Sequence, residues 1–168
     1  MSSIDKYLVQ ALDNYPYNLE DALTSLEYAL SYNENNTQAL CLYGRFLAEQ
    51  FKQYEEAKSY FQKAIQNDLH ALEVYPYYID TLLKNEDFDE AERLIRFALT
   101  VKGIDKFEIK SREVLLFEIQ GNYKQALALA KQLPLFVYDQ EYKTVIEESI
   151  ERLKSKKELV ASTRKSKK

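Results

Sequence analysis

Cysteine is nearly absent from this chain: Cys41 stands alone among 168 residues, so no disulfide can close within it. Histidine is equally scarce, and one Cys with one His, His70, cannot build a Cys/His zinc site. A reducing compartment fits this composition best. Glycine and proline number three each, about a third of their usual share, which disfavours a sandwich or barrel built on many tight turns. Helices need fewer such breakers. No stretch approaches the ~18 apolar residues of a membrane span. The opening Met1-Ser2-Ser3-Ile4-Asp5-Lys6 also lacks the basic start and apolar core of a secretory signal. These absences point to a cytoplasmic protein with no membrane partner. What is present, 46% hydrophobic and 30% charged residues over this length, is enough to core one domain.

Charge is unevenly spread. Residues 152–168 hold eight Lys and Arg against Glu158 alone, a net of +7, which leaves −11 of the whole-chain −4 for residues 1–151. So acidic a body repels a phosphate backbone, which argues against nucleic-acid binding by it. The basic tail, 154–168, is short of apolar residues and reads as a solvated end into which the closing helix can continue before fraying. Its other reading is an electrostatic arm for RNA, an anionic membrane, an acidic protein surface, or the acidic body of another copy.

A period precedes any chemistry. The phrase apolar-x-x-Ala occurs at Leu19–Ala22, Tyr54–Ala57, Phe88–Ala91 and Tyr123–Ala126, with the alanines 35, 34 and 35 positions apart. Leu26, Phe61, Ile95 and Ala130 follow at +4, and Ala29, Ala64, Ala98 and Leu133 at +7, offsets that share one helical face. Ahead of the phrase, Leu40, Tyr43, Gly44 and Leu47 in the second unit and Tyr75, Tyr78, Ile79 and Leu82 in the third repeat the i, i+3, i+4, i+7 spacing. Each unit therefore reads as two amphipathic helices.

Punctuation agrees with the period. Thr37 is the expected N-cap of one front helix, and Asn67-Asp68 of the next, before Leu69. Asn85-Glu86-Asp87 and Gly121-Asn122 divide the helices of the third and fourth units. Pro16 should stop the first helix near Asn14, Gly103 should end a helix running from about Glu90 to Lys102, and Pro134 should close the eighth. The first helix has two registers, Ile4, Tyr7, Leu8 and Ala11 or Leu8, Ala11, Leu12 and Tyr15. In the fourth unit only Val114 and Phe117 mark the front helix. The second unit carries one extra residue between Gly44 and Ala57. After Pro134 an amphipathic run of Tyr138, Tyr142, Val145, Ile146, Ser149 and Leu153 provides a closing helix.

Over about residues 4–133 this arrangement resembles the tetratricopeptide repeat (TPR) family, with small alanines at the helix crossings and Tyr43, Tyr78 and Phe61 between units. The resemblance implies an all-α, TPR-like α-solenoid of about four helix-turn-helix repeats, 3–36, 37–69, 70–103 and 104–134. A capping helix at 138–153 completes a single domain, 1–153. Tyr43, Tyr54, Tyr60, Tyr75 and Tyr78 fall at positions expected to be core.

Catalytic signals are missing from the pattern. His70 has no nucleophile or carboxylate at a motif spacing, and Cys41, on a front helix, reads as a small buried hydrophobe. There is no P-loop, GxGxxG, GxSxG or HExxH. Adjacent acids such as Glu55-Glu56 and Glu147-Glu148 splay apart on a helix. The expectation is a protein that is no enzyme and needs no cofactor or metal.

By the family resemblance, the inward positions of the front helices are Tyr7 and Ala11, then Cys41, Leu42, Arg45 and Glu49, then Tyr77, Asp80 and Lys84, then Arg112 and Leu115. From these, Tyr7, Leu42, Arg45, Tyr77, Asp80, Lys84 and Arg112 form the expected partner-binding groove. Rings supply rigid contact area and a guanidinium can grip a carboxylate, so the expected ligand is a peptide or helix of another protein. Some family members clamp a chaperone's acidic C-terminus with Lys, Asn and Arg. The places that correspond here hold Tyr7, Ala11, Leu42, Glu73 and Tyr77, which disfavours that partnership. The resemblance also admits a small TPR-type chaperone, and homo-oligomers remain open.

Overall fold

A computed structural model of the chain describes residues 5–137 and 139–165, with side chains through Thr163. Nine α-helices and no strand occur among the described residues. No helix among them is long and apolar enough to cross a membrane. The chain divides into two compact units, Met1–Asp87 and Phe88–Lys168.

The first unit holds α1 (Lys6–Asn14), α2 (Leu19–Tyr32), α3 (Thr37–Phe46), α4 (Tyr54–Asn67) and α5 (Val74–Lys84). Each helix packs on the next in sequence, and α3 also touches both α1 and α5. Asp5 caps α1, its Oδ1 accepting the N–H groups of Tyr7 and Leu8 at 3.1 Å each. As expected, α1 ends at Asn14, ahead of Pro16. Its buried side chains, Leu8, Ala11 and Tyr15, mix the two registers: Leu12 is exposed, Tyr7 half-buried, and Ile4 lies outside the described residues. They join Ala22, Leu26, Ala29, Leu42 and Phe46 in one core.

Two cap expectations are corrected. Asn36, not Thr37, caps α3: its backbone is extended and its Oδ1 accepts Ala39 N–H at 3.1 Å, leaving Thr37 as the first helical residue. Nor does Asp68 cap a helix. It accepts His70 N–H at 2.8 Å in a local turn, and α5 starts only at Val74. Tyr75 and Tyr78 are buried as expected, but Tyr43, Tyr54 and Tyr60 are only half-buried, because a phenol at the rim keeps its hydroxyl near water.

Packing explains three small residues and one insertion. A Cβ on Gly44 would sit 2.8 Å from Phe61 Cε1, so α3 and α4 approach as they do only because position 44 has no side chain. Ala57 and Ala64 are fully buried on the same helix as Phe61. The extra residue after Gly44 is absorbed by a π-helical turn, Leu47–Phe51, closed by Lys52 in the left-handed region with φ 59°.

The second unit holds α6 (Phe88–Ala98), α7 (Lys106–Ile119), α8 (Tyr123–Ala130), a 3-10 turn (Leu133–Phe136) and α9 (Glu141–Lys165). Contrary to expectation, α6 stops at Ala98, where bonds from Thr100 to Phe97 and Val101 to Ala98 tighten the chain into turns before Gly103, at φ 89°. Likewise α8 ends at Ala130 and Pro134 sits inside the following 3-10 turn, where its missing N–H costs nothing. Gly121 and Asn122 do separate α7 from α8, Asn122 accepting Gln125 N–H at 3.3 Å. The front helix α7 buries Ile109, Val114 and Leu116.

The closing helix differs most from its expectation. Ile146 and Leu153 are buried and Ile150 packs beside them, while Tyr142 and Val145 are exposed; Tyr138 lies outside the described residues. The helix also continues beyond Leu153 through the expected tail to Lys165. Glu118 explains part of this. Its buried carboxylate takes a bidentate grip from Arg152, at 2.9 and 3.0 Å, and a third bond from Lys156 at 2.8 Å, which ties α9 to α7 at the end of the apolar seam and one turn past it. Those bonds, Arg152 first, hold the Glu118 carboxyl below its ordinary range.

Candidate functional site

Three helices and the π-turn bring four side chains of the first unit together. Tyr15 stands at the C-terminal end of α1, Arg45 in the last turn of α3, Glu49 in the π-turn and Tyr77 in the first half of α5. The guanidinium carbon of Arg45 lies 4.0 Å from the Tyr77 ring centre and 5.0 Å from that of Tyr15. Its Nε faces Glu49 Oε1 at 3.5 Å, and the Tyr15 hydroxyl donates to Glu49 Oε2. Lys52 Nζ donates to the Glu49 carbonyl at 2.7 Å, which steadies the π-turn from its far end.

The electrostatics follow from this geometry. Burial, then the hydrogen bond to Glu49, pushes the Tyr15 phenol up to about 12. Arg45 uses its Nε and both faces inward, while its two terminal nitrogens have no bond among the described residues and are not buried. They form an oriented fork whose open end meets solvent. Entropy that a mobile arginine loses on binding is already lost here.

The other expected groove residues are dispersed. Tyr7 stacks on Tyr28, centres 5.2 Å apart, and lines an open cavity of about 710 Å³ with Val9, Leu12 and Asn36. Leu42 lies in the core, as do Ala11 and Cys41, because α3 is covered on two sides by α1 and α5 and keeps little free surface. Burial pushes the Cys41 thiol up to about 12, which keeps it protonated at neutral pH. Asp80 is half-buried and Lys84 exposed on α5. Arg112 belongs to the second unit, where it pairs with Glu108 at 3.3 Å across one turn of α7, with Leu115 exposed beside it.

Sequence reasoning missed Tyr15 as a site residue. The available signal was its place immediately before Pro16, since a residue leaving the helix can swing its ring toward α3. Among the described residues, no group of three His, Cys, Asp or Glu side chains could hold a metal ion. The chain matches no family model and no curated protein.

Proposed function

We propose that this protein is a non-catalytic interaction module of the tetratricopeptide type, acting in the cytoplasm as an adaptor. Its ligand is a peptide or helix of another protein, laid across the face that α1, α3 and α5 share. One observation carries the reading: Arg45 is held by Tyr15, Tyr77 and Glu49, yet its terminal nitrogens are not buried and have no bond among the described residues. A guanidinium so held suits a ligand carboxylate or a run of backbone carbonyls, and the half-buried Tyr77 ring offers rigid contact area beside it. The successive contacts from α1 to α3 to α5 support a repeat stack within this unit.

The test is peptide display on the intact chain. Peptides enriched on the wild type should lose at least tenfold in affinity for Arg45→Glu and Tyr77→Ala, about 1.4 kcal/mol, with the circular-dichroism melt of Tyr77→Ala nearly unchanged. Equal retention by both variants would place the interaction elsewhere.

A further inference from the structure

The C-terminal half of α9 has a length and composition that the fold does not use. Leu153 is its last buried residue among the described side chains, and the helix then runs on through residues 154–165, ~18 Å at 1.5 Å per residue. In this stretch Lys156 is spent on Glu118 and Lys154 makes an exposed pair with Glu151 at 3.2 Å one turn back, but Lys157 and the apolar pair Leu159 and Val160, 65% and 39% exposed, pack against nothing that buries them. Lys154, Lys157 and Ala161 recur at i, i+3 and i+7, with Val160 beside them, so cations and methyl groups share one helical face. A purely phosphate-binding arm would gain nothing from the exposed Leu and Val. A helix seated in a groove with an apolar floor and an acidic rim gains from both.

Such a groove exists in the first unit, and none of the Arg45 cluster lines it. It holds about 500 Å³ between α2 and α4, with Leu30, Leu40 and Tyr60 as apolar lining and Glu34 and Glu56 as carboxylates. Lys63 is its one cation and reaches Glu34 only at 3.8 Å. Tyr60 stacks on Tyr43 with centres 4.5 Å apart, and burial, then Glu56 and Glu27, raises the Tyr60 phenol, which puts a third carboxylate near the same ring pair. At larger scale, residues 1–87 carry six Lys and Arg against fourteen Asp and Glu, net −8, and residues 88–168 carry seventeen against thirteen, net +4. The chain is thus complementary to itself.

We propose that the free segment of α9, residues 154–165, docks in the α2–α4 groove of a second copy of this chain. Val160 and Ala161, which lie on the same helical face as the lysines, approach Leu30, Leu40 and Tyr60, while Lys154 and Lys157 face Glu34 and Glu56. The contact is small and charge-dominated, so it is weak and sensitive to salt. It stands independently of the peptide-binding reading, because it uses neither Arg45 nor Tyr77.

Sedimentation of the full chain tests it. At about 0.01 M salt, where screening extends ~30 Å, the weight-average mass should rise with concentration above the 19.8 kDa of one chain, and at about 1 M it should return to that value. Lys154→Glu with Lys157→Glu, and separately Glu34→Lys with Glu56→Lys, should each leave a monomer. An equimolar mixture of the two variants should associate again, since each helix then meets a groove of opposite charge. If either variant loses its helical melt, the neutral pairs Lys154→Gln with Lys157→Gln and Glu34→Gln with Glu56→Gln are read instead, with at least a fivefold loss of association expected. A wild type that stays monomeric at low salt overturns the proposal, whether its helix rests on its own chain or binds only an added uridylate oligomer. Association that survives both reversals overturns it too.

Discussion

At position 44 a single methyl group decides between two opposing effects. Alanine in place of glycine favours the helix by roughly 0.5–1 kcal/mol, yet its Cβ would stand 2.8 Å from the fully buried Phe61 ring, and overpacking costs about 1–3 kcal/mol. Overpacking wins, so Gly44→Ala should lower the urea midpoint; an unchanged midpoint would mean that Phe61 yields without cost. Ala57→Leu belongs to the same class and should cost roughly 1–3 kcal/mol, since Ala57 is fully buried on α4 where that helix packs on α3. Ala57 was legible in the repeat phrase, because small residues recurring at a fixed spacing mark close crossings, whereas Gly44 has Ile79 at the corresponding place of the next unit. The position of Tyr15 was not legible, since its ring reaches Arg45 and Glu49 only after α1 has packed on α3.

Elements show how one residue more or less changes a site. The surplus residue after Gly44 could be counted in the sequence, but counting does not say whether it lengthens a loop or widens a helix. It widens one, and the π-turn that results presents Glu49 to both Tyr15 and Arg45. Glu49→Ala should therefore keep the helical content and remove the bond that holds the Tyr15 proton, whose ionisation should fall from about 12 toward the ordinary 10.0 in an ultraviolet titration. A Tyr15 that still titrates last would separate the π-turn from the cluster. On α9 the decisive element contact is Glu118 with Arg152 and Lys156. Glu118→Gln should lose roughly 1–3 kcal/mol at neutral pH. Because the folded carboxyl titrates below its ordinary value of 4.5, the wild-type advantage is complete above that pH and disappears as the pH falls through the folded value. Thermal melts of the two proteins should converge in acid; a constant gap would assign the loss to packing.

For the molecule as a whole the tyrosines set the alkaline limit. Burial raises Tyr15, Tyr43, Tyr60 and Tyr75 above the ordinary 10.0, and an unfolded chain releases those protons more easily than the folded one. Stability present below about pH 10 should fall as pH rises toward 12, in step with phenolate absorbance. A melt that is flat across that interval would contradict the burial of those rings.

By itself the sequence determined the helical class, the period and the identity of the buried alanines, because these depend on spacing along a 3.6-residue helix. Only the tertiary structure decided which tyrosines are rim and which are core, that Leu42 and Cys41 are covered while Arg45 keeps an open edge, and that α9 outlasts its apolar seam by holding Glu118. Those outcomes depend on which helices cover which faces and on partners more than thirty positions away, as Arg152 is from Glu118, and no local spacing encodes them.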